Sequence, residues 1–223
     1  MNCTRAVERW LQRDRVLWFL VKNMTFVSVY LPSFGDKNLM QSPQQPHTPH
    51  RSPLASVCAY QGRKPQMHES VFLADGARVI GDVTLGKDCS IWFNTVVRGD
   101  VHRIVVGEET NIQDGAVVHC TYQKHATTIG RRVSIAHLAM IHGCTIEDEC
   151  LIGMQAIVMD GAVVGRGSIV GAGAVVTQGM QIPAGSLVLG APAKVVRQVK
   201  PEELASVLAT CDRYIEYTKG YQF

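Results

Sequence analysis

His119, His137 and His142 are the residues most suited to chemistry. His119 follows the aliphatic Val118, His142 follows Ile141, and His137 lies five residues before His142. Three neutral imidazoles make the ligand set of a catalytic zinc. They leave a fourth position for water, whose pKa the metal brings to about 7. The competing assignment is three surface or capping histidines. His102 and His125 fall out of step with this set and read as solvated or loop-capping, and His68 reads as a surface residue. His47 and His50 sit among prolines in QSPQQPHTPHRSP with no acidic or cysteine partner. They read as linker residues, because a floppy segment preorganises a metal site poorly.

The elements that carry the three histidines decide whether they can share an ion. From about Val71, aliphatic residues recur every six positions. Leu85, Ile91 and Val97 form one run, Val106, Ile112 and Val118 a second, and Ile129, Ile135 and Ile141 a third. From Ile146 to Val188 the spacing holds without a break. This period fits neither an amphipathic helix nor an alternating strand. It fits a hexapeptide solenoid, in which six residues make one short strand and one turn and three hexads close a triangular coil. The expected fold is all-β with a C-terminal helix: a left-handed parallel β-helix whose inward aliphatic residues stack from coil to coil.

In that register His119 and His142 take the same offset on the same face, one rung apart. Neighbouring strands lie about 4.8 Å apart. That is close enough for two imidazoles to share an ion at about 2.0–2.1 Å from each. His137 falls on the adjacent face and cannot easily reach the same ion. If three solenoids pack side by side, the face carrying His137 meets the neighbour's face carrying His119 and His142. The spacing therefore predicts an ion between subunits, three to a trimer.

The repeat breaks at residues 97–106 and 118–129, which read as inserted loops, and the hexad from Ile141 is one residue short. Insertions in a solenoid collect at corners and often mark the binding face. After Pro192 the pattern turns helical. Pro201-Glu202-Glu203-Leu204 reads as a helix start. Leu204, Val207, Leu208, Cys211, Tyr214 and Ile215 give an apolar stripe, which predicts a helix over about 200–218 packed along the solenoid. Residues 1–58 read as an N-terminal extension, with a short helix over Ala6–Asn23 and a disordered stretch over Gln41–Pro53. Residues 59–223 form the domain.

Composition narrows the setting. A net charge of +3 without long basic runs gives no footprint for nucleic acid or a membrane surface. No stretch approaches the roughly 20 apolar residues of a membrane span. Seven scattered cysteines without a CxxC pair argue for a reducing compartment. The cytoplasm is the expected location. Arg5, Arg9, Arg13 and Arg15 make a mitochondrial transit peptide the alternative, against which Glu8 and Asp14 weigh.

Four blocks in order along the solenoid resemble the γ-class carbonic anhydrases: NTVVRGD (94–100), NIQDGAVVH (111–119), HLAMIHG (137–143) and IGMQA (152–156). The resemblance implies a homotrimer acting on carbon dioxide and bicarbonate. It implies zinc, with iron or cobalt as alternatives, held by His119 and His142 of one subunit and His137 of the next. It also implies that Arg98 and Asp100 form an interface ion pair, with a corner salt bridge as the competing role. Gln113 resembles the residue that hydrogen-bonds the metal's water, Asn111 a substrate-side amide, and Asp114 an acceptor behind the ligands. Turn roles compete for Asn111 and Asp114. Tyr214 resembles a tyrosine near the site, with core packing as the alternative.

Two features depart from the family's pattern. Val101 stands where some members carry a glutamate, and the loop CTYQKHATT after His119 holds no carboxylate. Removal of the reaction's proton then falls to His125 or to buffer. The leading expectation is reversible hydration of carbon dioxide. An acyl-CoA-dependent acyltransferase or thioesterase and a non-catalytic metal-binding assembly subunit are the other classes this fold hosts.

Overall fold

The computed structural model describes residues 51–223, together with two three-residue strands, Val16–Trp18 and Ser28–Tyr30, which pair antiparallel. The helix expected over Ala6–Asn23 is therefore interrupted by a strand at Val16–Trp18. Val16 and Trp18 are residue types that favour an extended backbone. The rest of that expectation, and the linker roles of His47 and His50, lie outside the described residues.

Residues 51–223 hold a parallel β-helix of about seven coils. Its first face carries the two-residue strands Phe72–Leu73, Ser90–Ile91, Asn111–Ile112, Ser134–Ile135, Leu151–Ile152 and Ile169–Val170, and then Ser186–Leu189. Leu73, Ile91, Ile112, Ile135, Ile152, Val170 and Val188 pair in register from coil to coil, and all are fully buried. The hexapeptide spacing thus becomes one aliphatic column, each member resting on the residue one coil away. The second face includes Val117–His119, Met140–His142, Ile157–Val158 and Val175–Val176, and the third includes Thr127–Ile129, Thr145–Ile146, Val163–Val164 and Gln181–Ile182.

Two longer strands, Arg78–Leu85 and Val96–Val106, run round the corner from the second face to the third and pair with each other. Residues 97–106, expected as a loop, are thus a continuous strand with one irregularity between Gly81 and Val83. Two glycines make the close approach feasible. A Cβ on Gly81 would meet the backbone at Gly99, and a Cβ on Gly99 would meet the backbone at Asp82. The loop expected after His119 is present, closed by a bridge between Thr121 and His125.

Pairing of the solenoid begins before Ala59. Arg51 bridges Leu73, Ser52 is buried and donates its backbone N–H to Leu73, and Ser56–Cys58 pairs with Arg78–Ile80. Within the stretch Gln41–Pro53 expected to be disordered, Arg51 and Ser52 thus find backbone partners on the next coil. At the other end, helix α1 spans Pro201–Thr218. It buries Val207 and Cys211 against the first face, near Ser90–Ile91 and Ser134–Ile135. Among the described residues no helix is long and apolar enough to cross a membrane.

Candidate metal centre

His119 and His142 end neighbouring strands of the second face and are register partners. Their inward neighbours Val118 and Ile141 fill the core, so the strand's alternation turns both imidazoles outward. His119 Nδ1 stands 3.2 Å from His142 Nε2. Two nitrogens at ordinary zinc distances from a tetrahedral centre are about 3.3 Å apart. The pair therefore fits two of the four positions round such an ion.

Each ring is steered from behind by a carboxylate. His119 Nε2 lies 2.9 Å from Asp100 Oδ1, and His142 Nδ1 lies 2.7 Å from Asp160 Oδ1. A carboxylate on one ring nitrogen fixes the tautomer and leaves the other nitrogen's lone pair free for a metal. Arg98 donates to the second oxygen of Asp100 at 2.5 Å, so the two form an ion pair within one chain. Burial pushes the Asp100 carboxyl up, but hydrogen bonds from His119 and Arg98 and the Arg98 charge outweigh it and hold the group below its ordinary value. Asp160 behaves alike: burial raises it, and hydrogen bonds from His142 and Thr121 with the nearby His142 and His125 bring it down. Both carboxylates are thus kept as anions facing imidazole.

His137 belongs elsewhere. It follows Ser134–Ile135 at the corner between the first and second faces, whereas His119 and His142 sit at the corner between the second and third. Its Nδ1 lies 2.9 Å from Asp114 Oδ2, one coil earlier. Gln113 and Asn111 share that first corner. Asn111 and Gln113 are buried, and Gln113 Nε2 donates to Asn111 Oδ1 at 2.9 Å. Tyr214 of α1 packs edge-on against Trp92, ring centroids 5.1 Å apart. Burial first, then the Asp114 charge, pushes its hydroxyl up to about 12, so it stays protonated.

One chain therefore carries two separate side-chain clusters at opposite edges of its second face. His119, His142, Arg98, Asp100 and Asp160 gather at one edge, and His137, Asp114, Gln113 and Asn111 at the other. Among the described residues no three His, Cys, Asp or Glu side chains of the chain converge as a metal cage. His102, by contrast, takes a hydrogen bond from the Arg103 backbone N–H through its Nδ1.

Two parts of the arrangement were open to the sequence but not read there. Asp160 lies eighteen residues past His142, one coil further, and Ser134 is the register partner of Asn111. The register that paired His119 with His142 reaches Ser134 from Asn111, and from His142 it reaches Met159, the residue next to Asp160.

A family model described as "Bacterial transferase hexapeptide (six repeats)" matches residues 143–178. The chain is 54% identical over 151 residues to "Probable carbonic anhydrase" of Methanocaldococcus jannaschii, covering 68% of this chain and 94% of that one. It is 42% identical over 158 residues to "Gamma carbonic anhydrase 2, mitochondrial" of Arabidopsis thaliana, covering 69% of this chain and 57% of the plant protein. A solved structure of a "hexapeptide transferase family protein" from Anaplasma phagocytophilum superposes with a TM-score of 0.71 at 42% identity, covering 74% of this chain and 98% of that one. With the repeat, the in-register histidine pair and these similarities together, the chain belongs to the γ-class carbonic anhydrase family of hexapeptide-repeat proteins.

Proposed function

We propose that the chain assembles as a homotrimer and catalyses reversible hydration of carbon dioxide to bicarbonate at sites between subunits. The observation that carries the reading is the His119–His142 nitrogen pair, 3.2 Å apart, with a carboxylate behind each ring. His119 and His142 of one subunit and His137 of the next would hold zinc, or iron or cobalt in its place. When bound, the ion supplies the Lewis acidity that ionises a water near neutral pH.

The chain's own residues do the rest. Asp100, Asp160 and Asp114 each take a ring N–H and keep the three imidazoles in the ligating tautomer. Arg98 holds Asp100 in place. Gln113 orients the attacking water, and Asn111 orients Gln113. Water adds through its oxygen to the carbon of carbon dioxide and gives up a proton, and bicarbonate leaves. The loop after His119 holds no carboxylate, so His125 and buffer carry the proton away. Tyr214, packed on Trp92, closes the apolar side of the substrate corner.

The second face supports the trimer. Val96, Val117, Met140, Ile157 and Val175 form an outward aliphatic ladder from coil to coil, and Met140 and Ile157 are exposed in the single chain. Exposed Leu138 and Met159 extend it. A contiguous apolar face of this kind marks an interaction site, and it lies between the two clusters. Transferase relatives keep acyl transfer as a second reading. A zinc-loaded preparation that moves an acyl group from coenzyme A without hydrating carbon dioxide would favour it.

The test is stopped-flow carbon dioxide hydration by the metal-loaded protein beside His119→Ala. The expected result is a rate above buffer that the variant abolishes together with its bound metal. A fully metallated trimer with no rate would overturn the reading.

A further inference from the structure

We infer that three copies of Arg78 converge on the threefold axis of the assembly and hold one inorganic oxyanion of the sulfate or phosphate kind. The inference rests on the homotrimer reading for that convergence. It adds a ligand and a residue that the metal centre does not use.

Arg78 stands on the second face, at the foot of the outward ladder. It pairs in register with Val96, and Val117, Met140, Ile157 and Val175 follow one coil at a time. One cation thus precedes a run of aliphatic side chains. Arg78 is exposed in the single chain. Its guanidinium donates to Ser56 Oγ at 3.4 Å, one coil earlier, so the charge leans off the ladder toward the N-terminal end of the solenoid. Among the described residues it forms no ion pair. Asp75, the carboxylate three residues before it, accepts the Ser52 hydroxyl at the corner. Arg98, Arg132 and Arg166, by contrast, each bind a carboxylate of their own chain.

Symmetry decides where the ladder goes. His137 and the His119–His142 pair lie at the two edges of the second face, and α1 packs against the first. Each coil is triangular in section. Three triangles bring opposite edges of their second faces together only with those faces turned inward, round the axis. Turned outward, they would meet at the far corner and leave the edges apart. The ladders therefore line the axis, and a rotation by one third of a turn sets the three Arg78 residues at one height. Faces packed through their side chains stand about 10 Å apart, so the guanidiniums come within about one Debye length of each other. The aliphatic rungs close one side of this cationic pocket, and the other side is open to solvent. Three planar donors related by a threefold axis match three oxygens of a tetrahedral oxyanion. A doubly charged ion there offsets the repulsion that three like charges set against assembly.

The experiment uses the full chain, zinc-loaded, as wild type, Arg78→Gln and Arg78→Lys. Sodium sulfate or inorganic phosphate is titrated at an ionic strength held constant with sodium chloride, and light scattering establishes the oligomeric state throughout. In wild type each oxyanion is expected to raise the melting temperature along a saturating curve, and calorimetry should count one ion per three chains. General exclusion of sulfate from protein surfaces also stabilises, but it does not saturate and should be the same in every variant. Arg78→Gln should lose the saturating part. Arg78→Lys should bind roughly ten-fold more weakly, the cost of one charge-assisted hydrogen bond. In dilute chloride alone the order reverses: Arg78→Gln, relieved of the repulsion, should stay trimeric at a lower protein concentration than wild type. All three proteins should keep their zinc. A wild-type trimer with no saturating response, one ion per chain in place of one per three, or an Arg78→Gln trimer that responds as wild type does would overturn the inference. A chain that is monomeric with zinc bound would overturn the homotrimer reading itself, a result distinct from a trimer that ignores oxyanions.

Discussion

At the scale of residues, a histidine becomes a useful ligand when something holds its other nitrogen. Asp160 does this for His142 at 2.7 Å, and Asp100 does it for His119 at 2.9 Å. Asp160→Ala should weaken metal binding by about ten- to a hundred-fold, the usual cost of losing such a partner. Competition against a chelator of known affinity measures it, and an unchanged affinity would mean that Asp160 does not steer the ring. Gly143 protects the same contact. Its φ is +55°, and a Cβ there would strike the Asp160 carboxylate and the His125 side chain. Gly143→Ala should therefore reproduce the metal defect in part and lower the melting temperature as well. Cysteine chemistry plays no part at this centre. Burial pushes the Cys89, Cys144 and Cys150 thiols up to about 12. These three should resist alkylation in the native protein at neutral pH and react only after unfolding, as peptide mass measurement would reveal.

At the scale of elements, two-residue strands owe their stability to the column of aliphatic residues beneath them. Ile135 sits fully buried between Ile112 and Ile152. Ile135→Ala should cost about 2–5 kcal/mol, read as a lower urea midpoint. Because each coil touches only its neighbours, the loss should slacken the coils that present His137 and His142 before more distant ones. The start of α1 adds a pH dependence. Hydrogen bonds from Arg197, and then from the Lys200 backbone, pull the Glu203 carboxyl down from 4.5 to about 2. A depressed carboxylate contributes above its unfolded value and loses that contribution as pH falls through the folded one. Stability should therefore drop between about pH 4.5 and 2, and Glu203→Gln should flatten part of that limb of the acid melt. A variant with the wild-type acid profile would contradict the assignment.

The same scale explains what could be read from the sequence. Ile112, Ile135 and Ile152 announce the coil because the six-residue period has no other common structural meaning. The partnership of His119 with His142 follows from Val118 and Ile141 by counting. Residues 97–106 were legible only as a break, because the strand there depends on Gly81 and Gly99 letting two backbones meet, a pairwise fact that no local pattern records. Val16–Trp18 was misread because helical spacing in a short segment yields to pairing with the strand Ser28–Tyr30. The hydroxyl beneath Asn111 lies on the register already drawn, one rung beyond where it was followed, and the carboxylate behind His142 lies one residue past that register on the next rung.

At the scale of the whole molecule, the His119–His142 pair and His137 stand at opposite edges of one aliphatic face. A single chain cannot bring His137 to the His119–His142 pair without unmaking the strands between. Placing a charge on the ladder tests the face itself. Met140→Asp with Ile157→Asp should give a folded monomer, by light scattering and circular dichroism, that no longer retains metal through gel filtration. A trimer that survives both charges would place the interface elsewhere.

The shared site is tested most directly by mixing two defective chains. His137→Ala and the double variant His119→Ala/His142→Ala should each assemble without stable metal, because each lacks one half of every site. Co-expressed, they should form mixed trimers in which an intact pair on one chain meets an intact His137 on another. Bound zinc and hydration should then return in a fraction of sites. If the mixed trimers stay as empty and inactive as their parents, the site is not built between subunits.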